Sequence, residues 1–204
     1  MFGRLKKAGR GFTIVELLVV IVVIAVLASI AIVSYRGIQT RANNTARYNE
    51  MKTWEKIFRV YATQNSVFPP QITSSVSDTQ SAYFCLGTNF PKGGSGVERC
   101  RDYLGTNDST YSTSPRESKS ASLNTEIKNY ASIPDSAKKP VGDTVGPYVR
   151  VYEGTPPTIL EITQVFESSR ANTAADNECP KGTNFQFFSN VNDKRLWCEI
   201  HLEL

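Results

Sequence analysis

Leu17 to Tyr35 is a run of nineteen residues without a charge, most of them Val, Ile, Leu or Ala. Nothing else in the chain limits its folding options as strongly. As a helix rising ~1.5 Å per residue, the run matches a hydrocarbon core about 30 Å thick. Arg4, Lys6, Lys7 and Arg10 precede it, which keeps that end in the cytoplasm and leaves residue 36 onward outside. One carboxylate, Glu16, stands directly ahead of the run. An acid at membrane depth costs about 2.5 to 3.5 kcal/mol on insertion scales, so its position calls for a partner.

The four N-terminal cations account for the whole formal excess of +4, because residues 1–11 hold no acid. The remainder is neutral and has no bulk electrostatic attraction for nucleic acid. Small basic spots at Lys92, Arg99 and Arg101, and at Lys138 and Lys139, read as ordinary solvated charges. A chain of 204 residues with 40% hydrophobic content is expected to bury one modest core.

Beyond Tyr35 the helical pattern continues without proline. Ala46, Met51, Trp54, Ile57, Phe58 and Tyr61 recur at spacings that predict one helix from about Thr13 to about Gln64, apolar all round in its first half and amphipathic in its second. Pro69-Pro70 ends it. Such a helix is on the order of 75 to 80 Å long, so something must pack along its second half. Residues 67–146, rich in Ser, Thr, Gly and Asn, read as connecting structure over a surface and not as a second core. Within them Leu123, Ile127, Tyr130 and Ala131 follow helical spacing behind Ser120 or Ser122 as caps.

From residue 147 the period changes. PYVRVYEG, TPPTILEITQVFES, TNFQFFSN and RLWCEIHLEL read as four strands. The last puts Leu196, Cys198, Ile200, Leu202 and Leu204 on one face and Trp197, Glu199, His201 and Glu203 on the other. The expected fold class is α+β: a long N-terminal helix, transmembrane in its first half, packed on a four-stranded antiparallel sheet with one wet face.

All four cysteines, Cys85, Cys100, Cys179 and Cys198, lie on the outer side, where disulfides persist. They allow three pairings. The spacings favour two local loops, Cys85 with Cys100 and Cys179 with Cys198, each clipping a stretch poor in apolar residues. Closing a loop of roughly 15 residues stabilises by about 3 kcal/mol. The cysteines are far apart and His201 is the only histidine, so a zinc site of close cysteine pairs is not expected, nor any other metal or cofactor. Asp176, Asn177 and Glu178 read as a solvated turn before a cysteine and not as a calcium loop. No glycine-rich phosphate loop, nucleophile elbow or evident carboxylate dyad marks an enzyme, and His201 reads as a surface residue.

The block GRGFTIVELL, residues 9–18, sets a basic leader, Gly11, Phe12 and Glu16 at fixed distances directly ahead of the apolar run. It resembles the class III signal of type IV prepilins and the wider type IV filament family. The resemblance implies a leader over residues 1–11, cut by a prepilin peptidase between Gly11 and Phe12, and N-methylation of Phe12. It implies a transmembrane and assembly segment over 12–36, an amphipathic helical half over 37–66, a connection over 67–146, and a sheet with a C-terminal disulfide loop over 147–204. It assigns Glu16 to the Phe12 amine of a neighbouring subunit, setting axial register in a homo-oligomeric helical filament. A cation at a helix N-terminus is unfavourable alone, and in low dielectric the pair is strongly preferred over any register that leaves both charges alone.

The implied protein is no enzyme but a major pilin, anchored in the cytoplasmic membrane as a precursor and then carried by the pilus assembly platform into an extracellular filament for adhesion or motility. A minor pilin, a type II secretion pseudopilin and a DNA-uptake pilin are the alternatives within the family. Many pilins carry a proline near the position of Val33, but this chain has none before Pro69, so any melting on assembly falls to Ser34 and Gly37. Outside the family, Ser29-Ile30-Ala31 has the small residues of a secretory cleavage site that would release a soluble domain after Ala31.

Overall fold

The computed structural model describes residues 12–70, 83–90, 98, 100, 121–136, 141, 144–151, 159–168, 179–185 and 195–204. Helix α1 spans Ile14–Asn65, in agreement with the proline-free pattern. Its end is chemically specified. Ser66 enters the left-handed region at φ 59°, its N–H donates to the Ala62 carbonyl at 2.7 Å, and Asn65 Nδ2 donates to the Tyr61 carbonyl at 2.9 Å. The prolines at 69 and 70 then prevent resumption. The chain divides into two compact units at Thr40 and Arg41.

In the second unit the amphipathic half of α1 buries Met51, Trp54, Ile57, Phe58 and Tyr61, each 5% exposed or less. They share one core with Leu160, Ile162, Ile200 and Leu202 of the sheet. Each large apolar side chain taken from water contributes about 1.5 to 3 kcal/mol. Ala46, expected on the same stripe, is exposed, because five residues before Met51 falls off a face of 3.6-residue period. Arg47, four before Met51 and seven before Trp54, occupies the stripe instead. It is 1% exposed, and its Nη1 donates to the Val145 carbonyl at 3.0 Å. Asn44 adds a two-bond clasp, donating to the Glu167 carbonyl at 2.8 Å and accepting from the Glu167 N–H at 3.0 Å.

The four expected strands all form: β2 Tyr148–Val151, β3 Ile159–Glu167, β4 Asn184–Phe185 and β5 Arg195–Glu203. A fifth, β1 Tyr83–Cys85, comes from the polar connection and was not expected as a strand. The order is β1-β2-β3-β5-β4, with every neighbouring pair antiparallel. β3 and β5 pair along nine positions, from Ile159 opposite Glu203 to Glu167 opposite Arg195. A short helix, α2 Ala121–Ile127, fully buries Leu123 and Ile127, with Tyr130 and Ala131 partly buried behind it. Ser120, one of its two expected caps, lies outside the described residues.

The expected wet face of the sheet is largely covered. Tyr148, Val165 and Trp197 project from it and form a second cluster with Phe90, Val141 and Val145. The Tyr148 and Trp197 rings meet edge-on at 6.1 Å. Trp197 and Glu199, expected in water, are 3% and 7% exposed. The covering residues are single apolar positions scattered through a polar stretch, so no periodicity announces them. Close packing reaches Gly87, whose φ of +123° and contact with Ser136 exclude a Cβ.

Candidate functional site

The first candidate is the start of α1. Thr13 precedes the first helical residue, and its N–H and hydroxyl both donate to Glu16 Oε2, at 2.8 and 2.9 Å. In return the Glu16 N–H donates to Thr13 Oγ1 at 3.2 Å. This is a reciprocal capping box, with Thr13 as N-cap and Glu16 three residues on. The carboxylate also lies at the positive end of the helix dipole. The sequence reading missed this local partner, although T-x-x-E ahead of an apolar run is its signature. Phe12 is 83% exposed directly before the cap; Gly11 lies outside the described residues.

Behind the cap, every large apolar side chain from Leu17 to Ile32 is at least half exposed. Helix α1 is long and apolar enough to cross a membrane, and none of its most apolar window is buried among the described residues. Its one hydroxyl in this stretch before residue 33, on Ser29, donates to the Val26 carbonyl at 2.7 Å, so it brings no unsatisfied donor into an apolar medium. A Cβ at Gly37 would meet nothing within 4 Å. The side chain of Ser34 lies outside those described.

The second candidate lies on the outer face of the sheet. Antiparallel register sets Glu161 opposite His201 on β5 and Thr163 opposite Glu199. His201 Nε2 stands 2.9 Å from Glu161 Oε1 and 2.8 Å from Glu199 Oε1. Arg150 Nη1 approaches Glu161 Oε2 only to 3.9 Å. Glu161 and Glu199 are 1% and 7% exposed, whereas the His201 side chain is 45% exposed. Burial, together with a hydrogen bond to Glu161, pushes the Glu199 carboxyl up to about 7. Burial disfavours the His201 imidazolium, but hydrogen bonding to Glu199 and the charge of both glutamates outweigh it, and the pKa rises. Alternation along β5 places Glu199 and His201 on one face, but their meeting with Glu161 depends on strand register.

Cys85 pairs with Cys100 and Cys179 with Cys198. The first bond lies within the second apolar cluster, and the second ties residue 179 to β5. The calcium candidates Asp176, Asn177 and Glu178, and the basic residues Lys92, Arg99, Arg101, Lys138 and Lys139, lie outside the described residues.

Residues 6–32 match the family model of the prokaryotic N-terminal methylation motif. This motif is the class III signal peptide of type IV pilins. It supports a type IV pilin-like or pseudopilin protein, a family whose members are structural and not enzymatic. The motif implies processing by prepilin peptidase and pilus assembly, and with the apolar helix it fits a membrane-anchored precursor. No curated protein and no solved structure matches the chain.

Proposed function

We propose that the chain is a major structural subunit of a type IV pilus. Prepilin peptidase cuts between Gly11 and Phe12 and methylates the new N-terminus. The apolar half of α1 first anchors the precursor, then packs against copies of itself, while the sheet unit faces outward for adhesion or motility. The observation that carries this reading is the match over residues 6–32, continued by a helix whose apolar half is exposed among the described residues.

The capping box bears on how Glu16 works. Both Thr13 donors use Oε2, so Oε1 remains available to an incoming cation. The capped carboxylate is therefore held in place before a neighbour arrives, and the Phe12 amine of that neighbour meets a preorganised acceptor. N-terminal sequencing with mass measurement of the mature protein tests the processing step. A chain beginning at methylated Phe12 is expected; one beginning at Ile32 would mean signal-peptide cleavage and end this reading. Glu16→Val is expected to remove surface filaments while leaving the precursor in the membrane. Equal filament abundance in both strains would refute the assembly role of Glu16.

A further inference from the structure

We infer that Glu161, Glu199 and His201 form a site for a divalent transition ion of the Zn²⁺ type on the outer face of the sheet. The three side chains offer one ligand atom each, all within 4.8 Å of one another. They come from two paired strands, β3 and β5, whose nine-position register fixes the spacing. The site is anchored on rigid elements and not on loops.

Two observations make the cluster more than a solvated acidic patch. Both glutamates are more than nine-tenths buried, yet Glu161 Oε2 and Glu199 Oε2 make no hydrogen bond and are sealed from solvent. Buried carboxylate oxygens left in this state are costly. In addition, His201 Nε2 faces both Oε1 atoms at nearly equal distance, but an imidazole nitrogen carries at most one hydrogen. One N–H cannot serve two carboxylates fully, and Arg150 at 3.9 Å is beyond hydrogen-bond reach. A single divalent cation replaces that one shared hydrogen with a bond to each of the three side chains, with the neutral imidazole nitrogen as a ligand.

The donor set selects the class of ion. An imidazole nitrogen beside carboxylate oxygens suits zinc-like ions, whereas calcium and magnesium prefer all-oxygen shells. With bonds of about 2.0 to 2.1 Å, tetrahedral ligand atoms stand roughly 3.3 Å apart. The present nitrogen-to-oxygen separations of 2.9 and 2.8 Å therefore need to open by only about 0.5 Å. Half-exposed His201 lies on the solvent side, so the ion has a route in, and a fourth position remains for water or an external ligand.

The test uses the full chain in detergent micelles, stripped with EDTA and titrated calorimetrically with ZnCl₂. One Zn²⁺ per chain is expected, with affinity falling about tenfold or more in Glu199→Gln and in His201→Ala. His201 is half exposed and belongs to neither apolar cluster, so its truncation decides the matter if Glu199→Gln does not fold. Bound Zn²⁺ is also expected to raise the Tm of the unmodified chain, and CaCl₂ to leave it unchanged. No stoichiometric uptake, uptake undiminished in His201→Ala, or a preference for Ca²⁺ would each overturn the proposal. Uptake is measured on the isolated chain, so these outcomes are independent of filament assembly.

Discussion

The two halves of α1 share a backbone geometry and differ in everything their side chains do. From Leu17 to Ile32 the large apolar residues are half exposed or more, while Met51, Trp54, Ile57, Phe58 and Tyr61 are almost completely covered. The more hydrophobic half is thus the less buried one. Burial follows the availability of a matching partner and not hydrophobicity alone. A helix apolar on every side has no polar face to leave in water, so it suits a surrounding that is apolar on every side, lipid or copies of itself. A helix with one apolar stripe needs one partner, and the sheet in its own chain supplies it.

The sharpest way to break this comparison is a matched pair of truncations. Trp54→Ala removes a ring that is fully buried and lies 5.8 Å from Phe58; it is expected to cost about 3 to 5 kcal/mol. Ile24→Ala, on the uncovered half, is expected to leave the denaturant midpoint of the residue 41–204 unit unchanged. Unfolding followed by near-UV circular dichroism in detergent measures both. Equal losses would mean that the two halves are not energetically separate.

Disulfide removal comes next. Cys179–Cys198 spans a sequence separation of 19, and replacing both residues by serine is expected to cost about 3 kcal/mol through loop entropy. That loss belongs to the sheet unit alone. Reduction that lowered the helicity of the apolar half would contradict the division.

The outer face supplies a smaller, pH-dependent effect. Glu199 moves from 4.5 to about 7 on folding, and His201 rises above 6.5. The folded unit therefore binds more protons than the unfolded chain across this window. The stabilisation is complete below about pH 4.5 and is lost as pH rises past 7, a change on the order of 1 to 2 kcal/mol once solvent screening at the half-exposed His201 is allowed for. Melting in EDTA at pH 5 and pH 8 reads the effect, and Glu199→Gln is expected to flatten it. An identical pH slope in that variant would place the titration elsewhere. Zn²⁺ at pH 8 is expected to restore part of the loss by replacing the protons.

The legible parts of this molecule were those carried by a period or a fixed spacing. The length of α1 follows from the absence of proline before Pro69, and β5 from strict alternation over Leu196 to Leu204. Ala46 shows the limit: apolar identity suggested the stripe, but helical phase gave that place to Arg47. Strand β1 and the cover over Trp197 depend on single residues such as Phe84, Phe90 and Val145, which carry no repeat. Glu161, Glu199 and His201 converge only once β3 and β5 are set in register, a long-range choice that neither strand encodes by itself. At the N-terminus the spacing from Gly11 to Glu16 carries the family resemblance, while the bond of Thr13 to Glu16 is a purely local matter written in the separate pattern T-x-x-E.

That cap yields the smallest effect and the finest division within the apolar half. Thr13→Ala removes the N–cap hydroxyl that donates to Glu16 and accepts from its N–H, which costs about 1 kcal/mol where the helix end is free to fray. The backbone bond from Thr13 to Glu16 Oε2 survives the change, so the carboxylate is loosened and not released. Faster hydrogen exchange is therefore expected over residues 13–17 only, with no change beyond Met51, and Thr13→Ser is expected to restore protection because it keeps the oxygen. If Thr13→Ala left exchange in the first turn unaltered, the capping box would not be what orders Glu16. Its orientation would then have to come from the surrounding medium or from a neighbouring subunit.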